Sequence, residues 1–258
     1  MVAAMARILI PLPDTDFDTT EVAVPWRVLS DAGHSVVFAT EAGDVASCDP
    51  RLLTGVVFGK LGADDAAKAC YRQASQSSEF LRPLPWQGLV ASDFDALLLP
   101  GGHAPGMRQY LGSGSLQRFV AEFAALDRPI AAICHGVLVL ARAKHPESGR
   151  SILHGKRTTC LPRYMEALAF GLTAWKLGRY YRTYPRYVET EVRNALASPQ
   201  DFELGPITLG TRGTADDDAT AFVVEDGNYI SARWPGDAWL FSRRLVAMLK
   251  DRRAKAAR

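Results

Sequence analysis

The stretch RPIAAICHGVLVLARA, residues 128–143, decides the fold. Pro129 to Ile133 form a continuous apolar run too short for a helix, which reads as a strand buried on both faces. Val137 to Ala141 stay apolar with no Gly, Pro or Asn to mark a loop, so a helix follows at once. Cys134 therefore falls at a strand-to-helix corner. In an open parallel sheet, ligands bind beyond the carboxyl ends of the strands, which is where such a corner projects.

Working outward, the same alternation recurs. RILIPL at 7–12 reads as a buried strand, EVAVPWRVLSDAG at 21–33 as a helix with Gly33 at its C-cap, and SVVFAT at 35–40 as the next strand. This order with short connections is a βαβ unit with a parallel, right-handed crossover. DALLLP at 95–100, SLQRFVAEFAAL at 115–126 and PIAAI repeat it. The reading is an α/β, doubly wound, mostly parallel sheet. Gly62 to Ser78 has helical periodicity, and SQSSEFLRPLPWQG at 75–88 reads as a surface connection; together they form an insertion over the sheet's edge or top. Further on, KRTTC at 156–160 is a candidate strand, YMEALAF and VETEVRNALA are candidate helices, and AFVVEDGNYISAR carries an Asp226-Gly227 hairpin signal before the closing helix.

The 258 residues form a single domain over 1–250, and 48% hydrophobic content supports a large core. The basic DRRAKAAR at 251–258 reads as a disordered tail. A formal net charge of +2 gives no reason to expect nucleic acid or an acidic membrane as partner. No apolar run approaches the ~18 residues that span a bilayer, and MVAAMARILIPLP lacks a signal-peptide pattern, so the expectation is a cytoplasmic protein. Cys48, Cys70, Cys134 and Cys160 lie far apart with no C-x-x-C spacing, which indicates neither disulfides nor a structural metal site.

A thiol at a helix N-terminus meets the positive end of the dipole, which favours thiolate; on that ground Cys134 is expected to ionise readily. Its corner resembles, mechanically, the nucleophile elbow of α/β-hydrolases, with Gly136 permitting tight packing. Gly101 and Gly102, in LLLPGGHAPGM, form a second corner whose amides, with that of His135, suit an oxyanion site. His103 beside them is either a turn residue or part of a pocket. Glu21 either caps its helix electrostatically or points into the same crevice. The aromatic run WKLGRYYRTYPRY at 175–187 reads first as packing or a dimer surface, with a substrate lid as the alternative.

TEVAVP, LLLPGGHAPGM and AAICHG resemble the glutamate, glycine corner and nucleophile elbow of the ThiJ/PfpI superfamily, the cysteine-containing branch of the class I glutamine amidotransferase-like fold. The resemblance covers 7–145, and the last strands and helix resemble the family's closing hairpin and helix. It implies a flavodoxin-like sandwich, Cys134 as nucleophile, Glu21 as a protonated carboxyl bonded to its sulfur, and a homodimer. CHG and PGGHAPGM are most similar to the chaperone and glyoxalase III branches, where His135 would carry a proton. Glu166, 32 positions after Cys134, is the best match for the acid that orients this histidine there. The protease-like branch has a glutamate where Gly106 stands, and other members have a histidine near Leu161. His145 and Glu147 come too soon after the cysteine for an amidotransferase triad and read as a turn.

The resemblance implies a cysteine-dependent enzyme that converts small α-oxoaldehydes to hydroxy acids, in the manner of a glyoxalase III, with no metal and no organic cofactor. The rival expectations are a cysteine hydrolase, amidase or peptidase, using Cys134, His135 and Glu166, and a redox-responsive holdase chaperone.

Overall fold

The computed structural model describes residues 5–59 and 61–256. Among the described residues nine strands form two sheets: β1 (Arg7–Pro11), β2 (Thr15–Phe17), β3 (Ser35–Thr40), β4 (Ser47–Cys48), β5 (Leu84–Pro85), β6 (Ala96–Leu99), β7 (Ile130–Ile133), β8 (Val223–Asp226) and β9 (Tyr229–Ala232). The helices are α1 (Thr19–Asp31), α2 (Pro50–Thr54), α3 (Asp65–Ala74), α4 (Ser78–Leu81), α5 (Met107–Gly112), α6 (Gly114–Ala124), α7 (Val137–Arg142), α8 (Arg163–Leu177), α9 (Val188–Ala195) and α10 (Ala238–Ala256). The seven-stranded sheet has the order β5-β3-β1-β6-β7-β9-β8, parallel throughout except for the β8–β9 hairpin, while β2 and β4 pair separately. This is a flavodoxin-like α/β fold with helices flanking the sheet.

The central strands are apolar along their whole length because both faces are covered. Ala96–Leu99 and Ile130–Ile133 are fully buried, and with Ile8, Leu9 and Ile10 they belong to one continuous core. The chain winds outward from β1 through β3 to β5, then returns to the other side of β1 with β6. The order therefore reverses between β1 and β6, and the loops that leave their carboxyl ends diverge there to open a crevice. The segments after β1, β6 and β7 carry Glu21, Gly101 and Cys134.

Four readings of the sequence change. Leu84–Pro85, inside the segment read as a surface connection, pairs with Ala39 and Thr40 as an edge strand, a place that tolerates proline's missing N–H. KRTTC makes a single bridge, Thr158 to Phe202, in place of a strand. Helix α8 runs on through LTAWKL until Gly178, whose φ of 58° ends it. Helix α10 continues through Ala256, so 251–256 is helical where the sequence reads as a tail; 257–258 lie outside the described residues. The hairpin forms as expected, with Asp226 opposite Tyr229 and Gly227 at φ 62°.

Candidate active site

Cys134 sits on a strained corner. Its φ of 58° lies in the left-handed region that side chains other than glycine rarely adopt, which costs roughly 1–3 kcal/mol and marks a position held by its surroundings. Gly136 makes the corner possible: a Cβ there would lie 2.2 Å from the Leu99 carbonyl oxygen. Gly101 is confined in the same way, because its Cβ would stand 2.7 Å from the His135 nitrogen, 2.8 Å from Glu21 Oε2 and 3.0 Å from Cys134 Cβ. The glycine thus lets the carboxyl, the thiol and the elbow backbone meet around one point.

Glu21 is fully buried in the first turn of α1. Asp18 caps that helix by accepting from the Thr20 and Glu21 amides, and its own N–H donates to the Gly101 carbonyl, tying the first loop to the glycine corner. The Gly101 N–H donates to Glu21 Oε2 at 2.8 Å, while Glu21 Oε1 is buried without a hydrogen-bond partner, close to the Cys134 side chain. Burial, and then the nearby Asp18 charge, raise the Glu21 carboxyl well above 4.5, so Glu21 is held protonated. Burial lifts Asp18 itself to about 6. Glu21 and Cys134 thus lie side by side at the glycine corner, and the amide of Gly101, one of the three expected oxyanion donors, is engaged by Glu21.

The protonation of Cys134 departs from the expectation. The thiol has no exposed surface, and burial, followed by the neighbouring Glu21 and Asp18 carboxyls, pushes it well above 9.0; the His135 amide opposes this only in part. The resting group is a thiol, and a base must take its proton when it reacts.

The titratable ring beside the Cys134 sulfur is that of His135. Its ring is 1% exposed, and burial, with the adjacent His103 and the Arg142 and Arg182 charges, lowers it well below 6.5, so the ring is neutral. Its Nδ1 lies 3.5 Å from Cys134 Sγ, and its Nε2 lies 3.3 Å from Thr183 Oγ1. The single hydroxyl proton of Thr183 is committed to the His103 carbonyl at 2.6 Å. Thr183 can then only accept from Nε2–H, which leaves the Nδ1 lone pair facing the thiol. Thr183 fixes the tautomer that a general base needs.

The aromatic run supplies Thr183 and walls the site. Tyr181 donates to Asp49 Oδ2 at 2.8 Å and packs edge-on to His103, whose ring centroid is 4.7 Å from that of His135. Half-buried His103 is lowered to about 4 by desolvation and is neutral. It also lines a cleft of about 230 Å³ bordered by α8, Tyr181, Arg212 and Trp234, so it stands between that cleft and the thiol.

Glu166 does not face His135. It is buried in an ion pair with Arg182, Oε1 to Nη1 at 2.7 Å, and its Oε2 accepts from the Val188 amide. Both carboxylate oxygens are thereby engaged in holding the aromatic loop to α8 and α9, and the side chain that meets His135 Nε2 is Thr183. Gly106 packs so tightly that a Cβ would meet Thr15 Oγ1 at 2.4 Å, which leaves no room for a glutamate. His145 and Glu147 lie on an exposed turn. Sequence reasoning missed Thr183, which lies 48 residues from His135 in an irregular loop; its placement inside the aromatic run was the only local signal.

The family model described as ThiJ/PfpI family-like matches residues 12–206. An uncharacterized protein of Schizosaccharomyces pombe is 33% identical over 186 residues, covering 69% of this chain and 67% of its own. A deglycase of Pyrococcus abyssi is 25% identical over 244 residues, 95% and 99% of the two chains, and a glutathione-independent glyoxalase of S. pombe is 26% identical over 152 residues, 57% and 60%. Among solved structures, glyoxalase III from Candida albicans superposes with a TM-score of 0.66 at 19% identity over 95% and 97% of the chains, a likeness of fold. The family match extends over most of the sequence and includes the elbow, the glycine corner and Glu21, and the chain belongs to the ThiJ/PfpI family.

Proposed function

We propose that the protein converts α-oxoaldehydes to 2-hydroxy acids without glutathione, through Cys134. The observation that carries this reading is the meeting at one thiol of His135, its Nδ1 lone pair toward Sγ, and the buried carboxyl of Glu21, which burial favours in its protonated form. Sulfur adds to the aldehyde carbon while the thiol proton passes to His135 and the Glu21 proton passes to the aldehyde oxygen, forming a hemithioacetal. The Glu21 carboxylate then removes the hydrogen from that carbon, and His135 returns its proton to the ketone oxygen, giving an enediol. Glu21 delivers the hydrogen to the adjacent carbon as His135 takes the proton from the first hydroxyl, leaving a thioester. Water cleaves it, releasing the hydroxy acid and restoring the thiol and both proton carriers. One carbon is oxidised and its neighbour reduced, so the reaction needs no external oxidant, reductant or cofactor. The relatives named glyoxalase and deglycase support this class of reaction.

The deglycase of P. abyssi, matched over 95% of this chain, favours a second reading in which the same thiol attacks the adduct of such a carbonyl with an amine. The test for the first is formation of lactate from methylglyoxal in thiol-free buffer. Wild-type protein is expected to form it at a rate that Cys134→Ala abolishes, and equal rates in the two proteins would sink the proposal.

A further inference from the structure

The reaction proposed above requires room for no more than a three-carbon dicarbonyl, yet the cleft that reaches the site at His103 is far larger. Its volume of about 230 Å³ approaches the ~300 Å³ at which pockets for sizeable ligands begin, against ~30 Å³ for one water. A methyl-substituted substrate would leave most of it to solvent.

The walls of the cleft are chemically divided. Met165, Leu168, Ala169 and Leu172 all line it, and their i, i+3, i+4, i+7 spacing on α8 makes them one stripe along one side. Leu52, Val56 and Trp234 add to the apolar lining. Leu168 and Leu172 remain 45% and 46% exposed and Leu209 at the same cleft 83%, so apolar area stands in water that a ligand would cover. The polar residues of the lining include His103, Asp18 and Arg212. Arg212 donates from Nη2 to the Gly62 carbonyl at 3.1 Å, its guanidinium lies 5.4 Å from the Trp234 ring, and its Nη1 is buried without a partner. A buried guanidinium N–H left unpaired is costly, and a carboxylate would satisfy it.

We infer that, given the reaction proposed above, the cleft selects 2-oxoaldehydes whose ketone carbon bears an aromatic or branched apolar substituent. The substituent lies along the α8 stripe and the dicarbonyl end points past His103 toward Cys134; once hydrolysis frees the hydroxy acid into the cleft, Arg212 receives its carboxylate. The mutual placement of an apolar stripe, a guanidinium whose buried Nη1 has no partner, and the thiol's histidine neighbour is what assigns this class.

The experiment compares phenylglyoxal with methylglyoxal as substrates, and mandelate with lactate as ligands by calorimetry, on wild type, Ala169→Phe and Arg212→Met, with circular dichroism confirming the fold. Wild type is expected to show kcat/KM at least tenfold higher for phenylglyoxal and affinity at least tenfold higher for mandelate. Ala169→Phe, which fills the stripe, should shrink both ratios by tenfold or more, and Arg212→Met should weaken both hydroxy acids alike. If methylglyoxal is consumed as well as phenylglyoxal, or if folded Ala169→Phe keeps the wild-type ratios, the selectivity inference is overturned while the reaction stands. If neither dicarbonyl is consumed, the reaction reading falls and the ligands decide the cleft: mandelate favoured tenfold supports its apolar selection, and equal affinity overturns it.

Discussion

At the residue scale, the site works with neutral groups in a closed space. Glu21 holds its proton more tightly folded than unfolded, so from about pH 4.5 upward the native state retains a proton that the unfolded chain releases. Stability attributable to this group is full below that range and falls as pH rises toward the raised folded value. Glu21→Gln keeps an acceptor for the Gly101 amide and a donor toward sulfur but cannot ionise. Denaturant midpoints measured from pH 4 to 8 should therefore fall less steeply for the variant than for wild type; parallel curves would show that Glu21 is not held protonated. Thr183→Val removes the acceptor for His135 Nε2–H and should lower kcat roughly ten- to a hundredfold with little change in KM, by analogy with the loss of partners that orient catalytic groups. Thr183→Ser should restore the rate, and the pH profile of kcat should shift only in the valine variant. The corners that carry Cys134 and Gly101 were legible in the sequence because each follows its own strand end, whereas Glu21, in the first turn of α1, read equally well as a cap. The thiol's protonation was not, since dipole reasoning at one corner leaves out burial and two carboxyls that arrive from α1.

At the scale of elements, two connections hold the site in shape. The elbow packs against the end of β6, where Gly136 and Leu99 nearly touch, so α7 and β7 cannot shift independently of the glycine corner. The aromatic loop is fastened from behind by the Arg182–Glu166 pair, whose side chains are 7% and 1% exposed. Breaking a buried pair on one side leaves an uncompensated charge, so Arg182→Met should destabilise the fold by about 3–5 kcal/mol, and adding Glu166→Leu should recover much of the loss. Thermal unfolding of the single and double variants checks this. A Glu166→Gln protein whose kcat collapses while its stability holds would instead return Glu166 to catalysis. The parallel strands and crossover helices were legible because continuous apolar runs and caps are local signals. The edge strand β5 was not, since two residues with a proline carry no periodicity, and α8 was underestimated because the isolated Gly171 weakened its pattern without ending it.

At the scale of the whole molecule, the reversal of strand order between β1 and β6 gathers chemistry from positions 21, 101, 134 and 183 into one crevice. Among the described residues no helix is long and apolar enough to cross a membrane. All four cysteines are buried, and burial raises the thiol of each. Burial alone therefore does not distinguish Cys134. The distinction is its partners: it alone has a histidine lone pair at its sulfur and a protonated carboxyl beside it, next to a cleft open to solvent. The topology was legible from the order of strands and helices, but the cleft was not, because its walls come from α2, α8 and loops far apart in the chain.

The most direct test of Cys134 as the nucleophile is acid-quenched peptide mass spectrometry during turnover of phenylglyoxal in thiol-free buffer. The account predicts one substrate-derived adduct on the Cys134 peptide within the first turnover, disappearing as mandelate accumulates, with Cys48, Cys70 and Cys160 unmodified. Mandelate formed at the full rate in Cys134→Ala, or a transient adduct on any other cysteine, would contradict it.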